Sequence, residues 1–111
     1  MKIAIASAGQ KLSSLVDQRF GRCPYFLIID SKNRHFEVLK NIATRADRGI
    51  GISAAQIIAD QKAEVIIAGN FGPNAIRVLQ ASKLKLFSVG PKVSVSQALD
   101  RLKTNKLTPL T

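Results

Sequence analysis

Residues 63–69, AEVIIAG, form an apolar run of strand length with no alternation between polar and apolar positions. A strand that is apolar on both faces must be covered on both faces. That is the situation of a central parallel strand in an α/β protein. The flanking segments supply the covers. ISAAQIIADQ (52–61) places Ala54, Ile57, Ile58 and Gln61 at helical spacings. PNAIRVLQAS (73–82) opens on Pro73, which suits a first helical turn because the missing N–H has no partner there. Strands joined through helices run parallel, by right-handed crossovers.

The remaining segments complete the pattern. KIAIAS (2–7), YFLIID (25–30) and LKLFSV (84–89) read as strands. HFEVLK (35–40) alternates in the two-residue period of a half-buried strand. The polar turn SKNR, with Asn33 suited to a left-handed conformation, makes residues 25–40 a hairpin. Ser94 and Gln97 have the spacing of a capping box, followed by Val95, Ala98, Leu99 and Leu102 at helical spacing. NIATRADRGIG (41–51) reads as a loop and TNKLTPLT as a tail with Leu107 loosely held. The expectation is one α/β domain over residues 1–111, with a five-stranded mixed sheet, one antiparallel strand and helices on both faces. Ile3, Ile5, Leu27, Ile29, Ile57, Val65, Ile67, Ile76, Leu79, Phe87 and Leu99 form its expected core.

Composition narrows the function. Seventeen Lys and Arg face seven Asp and Glu, a formal charge of +10, so anionic partners are favoured: nucleic acid, phosphate, an anionic cluster or an acidic protein. One cysteine cannot form an internal disulfide, which points to the cytoplasm. No apolar run approaches the roughly 20 residues of a bilayer span, and MKIAIASAG turns polar too soon for a signal peptide. The single histidine, His35, sits beside a hairpin turn, and the carboxylates show no paired spacing. No base lies near Cys23, and GNFGPNA lacks the Gly-Lys-Ser/Thr ending of a P-loop. These absences favour a binding protein over an enzyme.

In such a sheet a ligand crevice forms where loops leave the carboxyl ends of the parallel strands. Three loops qualify: the exit at Ala8 and Gly9, the turn GNFGPNA with Gly69, Asn70, Gly72 and Asn74, and TRADRGIG with Arg45, Asp47 and Arg48. Helix starts present free N–H groups and positive dipole ends, and glycines admit close approach. The loop DQRFGRCPYF (17–26) adds Arg19 and Arg22 beside Cys23. Nearby positive charge favours the thiolate, the form that binds metal, so Cys23 is the candidate metal ligand.

MKIAIAS, RFGRCPYFLIID and the run from RGIGISAAQ to LKLFSV together resemble the dinitrogenase iron–molybdenum cofactor biosynthesis family, over about residues 1 to 103. The most specific matches are Phe20-Gly21-Arg22 before an aromatic strand, and Gly69 with Gly72-Pro73-Asn74-Ala75. The resemblance implies a three-layer α/β/α ribonuclease H-like fold. It also implies a small non-catalytic carrier, akin to nitrogenase accessory factors, for an iron–molybdenum or iron–sulfur cluster. Its partners would be that anionic metallocluster or a cluster-transfer protein, with nucleic-acid binding on a basic surface as the alternative. Cluster-binding members commonly carry a histidine before the Phe-Gly pair. Here the position is Arg19, whose guanidinium attracts an anion but has no lone pair for iron.

Overall fold

The apolar run becomes strand β4 (Val65–Ala68), with all four residues buried. It lies parallel to β1 (Lys2–Ser7) on one side and to β5 (Lys85–Ser88) on the other. The structure is a computed structural model that describes residues 1–45 and 48–110; Asp47 lies outside the described residues. β2 (Tyr25–Asp30) pairs antiparallel with β1 and with β3 (Phe36–Lys40), giving the sheet order β3-β2-β1-β4-β5. β2 is thus the one strand that opposes the other four, as expected.

Strand alternation sorts the side chains into two cores. Ala4, Ala6, Phe26, Ile28 and Ile66 face one way, against α1 (Ile50–Asp60) and α2 (Pro73–Ala81). Ile3, Ile5, Leu27, Ile29, Val65 and Ile67 face the other way, against α3 (Val95–Lys103). β1 therefore presents alanines to the side that carries two helices and isoleucines to the side that carries one. The result is the three-layer α/β/α arrangement. Among the described residues, no helix is long and apolar enough to cross a membrane.

Several expectations need correction. Ile57 and Ile76 are half-buried at the rim of the core, because Ala54, Ala55 and Ile58 in α1, and Ala75 and Leu79 in α2, hold the inward positions. β3 is an edge strand and is mostly exposed, with Phe36 at 37% and Val38 at 39%, since no helix extends over it. The hairpin turn places Arg34, not Asn33, at positive φ (59°); Asn33 instead accepts the His35 N–H on its Oδ1 at 2.9 Å. Residues 42–45 form a 3-10 turn, and Asn41 Oδ1 accepts the Ala43 N–H at 3.2 Å. The tail is tied down: Leu110 N donates to Leu86 O at 2.9 Å and Pro109 bridges Phe87, so the outer edge of β5 is covered.

The expected capping box is complete. Ser94 Oγ accepts from Gln97 N at 3.1 Å, and Gln97 Oε1 accepts from Ser94 N at 2.9 Å. Ser94→Ala should cost about 1 kcal/mol in urea unfolding, and an unchanged midpoint would show that α3 is held by packing alone.

Candidate functional site

The site is built from the segment that crosses from β1 to β2. Asp17 O accepts the Gly69 N–H at 2.9 Å, and Phe20 N donates to Asn70 O at 3.1 Å. The 17–20 segment thus lies directly on the turn that leaves β4. Gly69 is required there: a Cβ on it would sit 2.5 Å from the Gln18 Cα. Phe20 is buried between Phe26 and Phe71, with ring centroids 5.4 and 5.2 Å away. The next residue, Gly21, packs on the start of α1; a Cβ on Gly21 would meet the Gly51 Cα at 3.3 Å. Gly51 in turn packs 3.6 Å from the Ala75 Cβ, measured to the Cβ that Gly51 lacks. These small-residue contacts bring the starts of α1 and α2 together under the loop.

Between them lies an open groove of about 540 Å³, lined by Gln18–Arg22, Ile50, Gly51 and Asn70–Gly72. Both helices begin on glycines, Gly49 and Gly72, so neither cap supplies a side-chain acceptor, and neither first turn carries an acid. The first intrahelical bonds run from Ser53 N to Gly49 O (2.8 Å) and from Ile76 N to Gly72 O (3.0 Å). The N–H groups of the preceding helical residues have no intrahelical partner, and the positive dipole ends converge here. Asp17 holds Arg19 at the rim: its Oδ1 accepts the Arg19 N–H at 2.8 Å and lies 3.5 Å from Nε. Arg19 is nonetheless 65% exposed and Arg22 is exposed, so both guanidinium groups remain open to a ligand.

The groove therefore brings together Arg19, Arg22, Asn70 and Gly72 of the expected residues. It adds Gln18, Phe20, Gly21, Ile50, Gly51 and Phe71, of which only the glycines carry a sequence signal for close approach. Gly69 lies beneath Gln18, and Asn74 and Arg48 are exposed beside the groove without lining it. Ala8 and Gly9 are elsewhere. The chain leaving β1 folds back toward α3: Ala8 N donates to Leu15 O (2.9 Å), the Ser7 hydroxyl donates to Gly9 O (2.7 Å), and Leu15 bridges Ser94.

Cys23 is fully buried below the loop, where its thiol donates to Phe20 O at 3.3 Å. Burial first, then the charge of Asp17, pushes it up to about 12, although a hydrogen bond from Asn41 acts the other way. The thiolate expected from Arg19 and Arg22 is thus disfavoured, because both arginines are exposed to water while the sulfur sits in the core. Among the described residues, no three His, Cys, Asp or Glu side chains gather at a metal-binding distance. The lining offers hydrogen-bond donors and positive charge, and it suits an anion.

A family model described as dinitrogenase iron–molybdenum cofactor matches residues 1–105. The chain belongs to that family. An uncharacterized protein of Methanocaldococcus jannaschii is 34% identical over 83 residues, covering 72% of this chain and 67% of the relative. Among solved structures, the apo form of the orange protein from Desulfovibrio gigas superposes with a TM-score of 0.93 at 32% identity, over 99% of this chain and 96% of that one. A Thermotoga protein assigned provisionally as NifB gives 0.84 at 36% identity, over 99% and 93%. The family match thus includes the whole groove and stops before the tail that covers β5.

Two outcomes follow from the geometry. Phe20→Ala should destabilise by about 3–5 kcal/mol in denaturant, as the loop's aromatic anchor is lost; a cost below about 1 kcal/mol would mean that the ring adds little to the hold on the loop. The raised Cys23 value gives a pH dependence with a definite sign. Below its ordinary value of 9.0 the thiol is protonated in both states and its contribution is fully present. Toward pH 12 the unfolded chain ionises while the folded chain does not, so stability falls with rising pH. The slope should reach about 1.4 kcal/mol per pH unit. It should appear as the difference between the wild type and Cys23→Ala; parallel curves for the two proteins would contradict the burial.

Proposed function

We propose that this protein is a non-catalytic carrier for an anionic metallocluster of iron–molybdenum or iron–sulfur type, held by hydrogen bonds and charge rather than by protein-to-metal bonds. The observation that carries the reading is the groove lining: two uncapped helix starts, two exposed arginines and, among the described residues, no carboxylate or histidine. Charge-assisted hydrogen bonds from such donors are the strong class. Arg19 and Arg22 clamp the cargo, and the Ile50–Gly51 and Asn70–Gly72 backbones form its floor. Arg48 and Asn74 add field from beside the groove. Cys23 keeps the loop in place from below. The family description and the similarity to an apo-form orange protein support a cluster as the cargo. A cargo of this kind belongs in a reducing compartment, in keeping with the lone unpaired cysteine.

The test is anaerobic incubation with iron, sulfide and molybdate, followed by desalting and metal analysis. The wild type should retain metal in a salt-sensitive manner. Replacing Arg19 and Arg22 together by Ala should lower retention roughly tenfold, the scale of one charge-assisted hydrogen bond. Arg19→His should lower it as well, because a neutral imidazole gives up the charge; a gain would point to a protein-to-metal bond instead. Cys23→Ser should leave it unchanged. Loss of metal in Cys23→Ser with the fold intact would move the role to the thiol, and full retention in the arginine variant would sink the reading.

A further inference from the structure

β1, β3, β4 and β5 all point the same way, so their carboxyl ends and the segments that follow them share one edge of the sheet. On those segments Arg19, Arg22, Lys40, Arg45, Arg48 and Lys92 are all exposed. Among the described residues the acid of these segments is Asp17, which is buried and occupied by Arg19. The opposite edge is mixed, with Asp30, Asp60 and Glu64 among its lysines. The carboxyl edge around the groove is therefore cationic.

Two large aliphatic side chains break that cationic surface. Ile42 is 56% exposed and Ile52 is 44% exposed. Both flank Gly21. Asn41, the neighbour of Ile42, donates from Nδ2 to Gly21 O at 3.1 Å, and Gly51, the neighbour of Ile52, packs on Gly21. Neither isoleucine lines the groove. The aromatics here are withdrawn: Phe20 is buried, Phe71 packs against it, and the Tyr25 hydroxyl accepts from Gln10 Nε2 at 3.0 Å. A nucleic-acid strand is gripped by phosphate charge and stacking on exposed rings. Exposed isoleucines within a basic ring match a protein interface, apolar at its centre and charged at its rim.

We propose that this edge is a docking surface for an acidic partner protein, whose apolar residues seat on Ile42 and Ile52 while its carboxylates meet the surrounding arginines and lysines. Resting on the carrier reading, this partner would close over the groove to deliver or remove the cargo. The groove is open, and a cover is what dries it and strengthens the arginine contacts.

Three probes at one ionic strength test this in an amide NMR titration: an acidic peptide containing leucines, a polyglutamate of equal length, and a single-stranded RNA of equal charge. The leucine peptide should bind roughly tenfold tighter than polyglutamate, with shifts at residues 19–22, 42–45, 48–52 and 70–72. Changing Ile42→Ser together with Ile52→Ser should abolish that advantage while metal retention by the protein alone stays at the wild-type level. Equal affinity for the two peptides, shifts centred on another face, or RNA binding tighter than either peptide would overturn the proposal. Failure of the carrier reading would show separately, as absence of retained metal before any peptide is added.

Discussion

The functional end of this molecule depends on one clamp: the backbone of Asp17 and Phe20 hydrogen-bonded to Gly69 and Asn70, with the Phe20 ring driven between Phe26 and Phe71. The two hydrogen bonds fix where the loop crosses β4. The ring fixes how deep it sits. Without the ring, the 17–22 loop would rest on exposed backbone contacts, which carry little net stability in water. With it, Gly21 is pressed onto Gly51, and two helix starts become walls of one groove.

That arrangement explains the division of labour within DQRFGRCPYF. Three of its members, Phe20, Cys23 and Phe26, are buried and serve as the anchor. Its arginines, two residues apart from that anchor or closer, are forced to the surface because the anchor takes the inward direction. Asp17 spends its carboxylate on the Arg19 backbone and so shapes the turn without cancelling the exposed charge of Arg22. A loop that contained a ligating thiol at its tip would need the opposite layout, with the sulfur outward and the rings elsewhere.

The sheet's two edges are treated differently. β5 is covered by the tail through Leu110 and Pro109, whereas β3 remains open and carries Glu37 and Lys40. Charged residues on an open edge oppose pairing with another strand. The high net charge has the same effect across the whole molecule. The carboxyl edge is where that charge is combined with exposed isoleucine, and it is there that an acidic surface would be discriminated from a bare polyanion.

The sequence by itself determined the layers and the direction of the strands. The apolar run at 63–69 can only be central, the two-residue period separates Ile3 and Ile5 from Ala4 and Ala6, and Pro73 and the Ser94–Gln97 box mark helix starts. These signals are local, arising from backbone sterics and burial periodicity. Tertiary structure alone decided which loops meet. Ala8 and Gly9 follow a parallel strand, as Gly69 and Asn70 do, yet Val16 and Leu15 draw them toward α3 instead of the groove. Cys23 lies between arginines in sequence, but sequence neighbours do not set its environment. The aromatic core does, because removing a thiolate from water costs more than two solvated guanidinium groups can return.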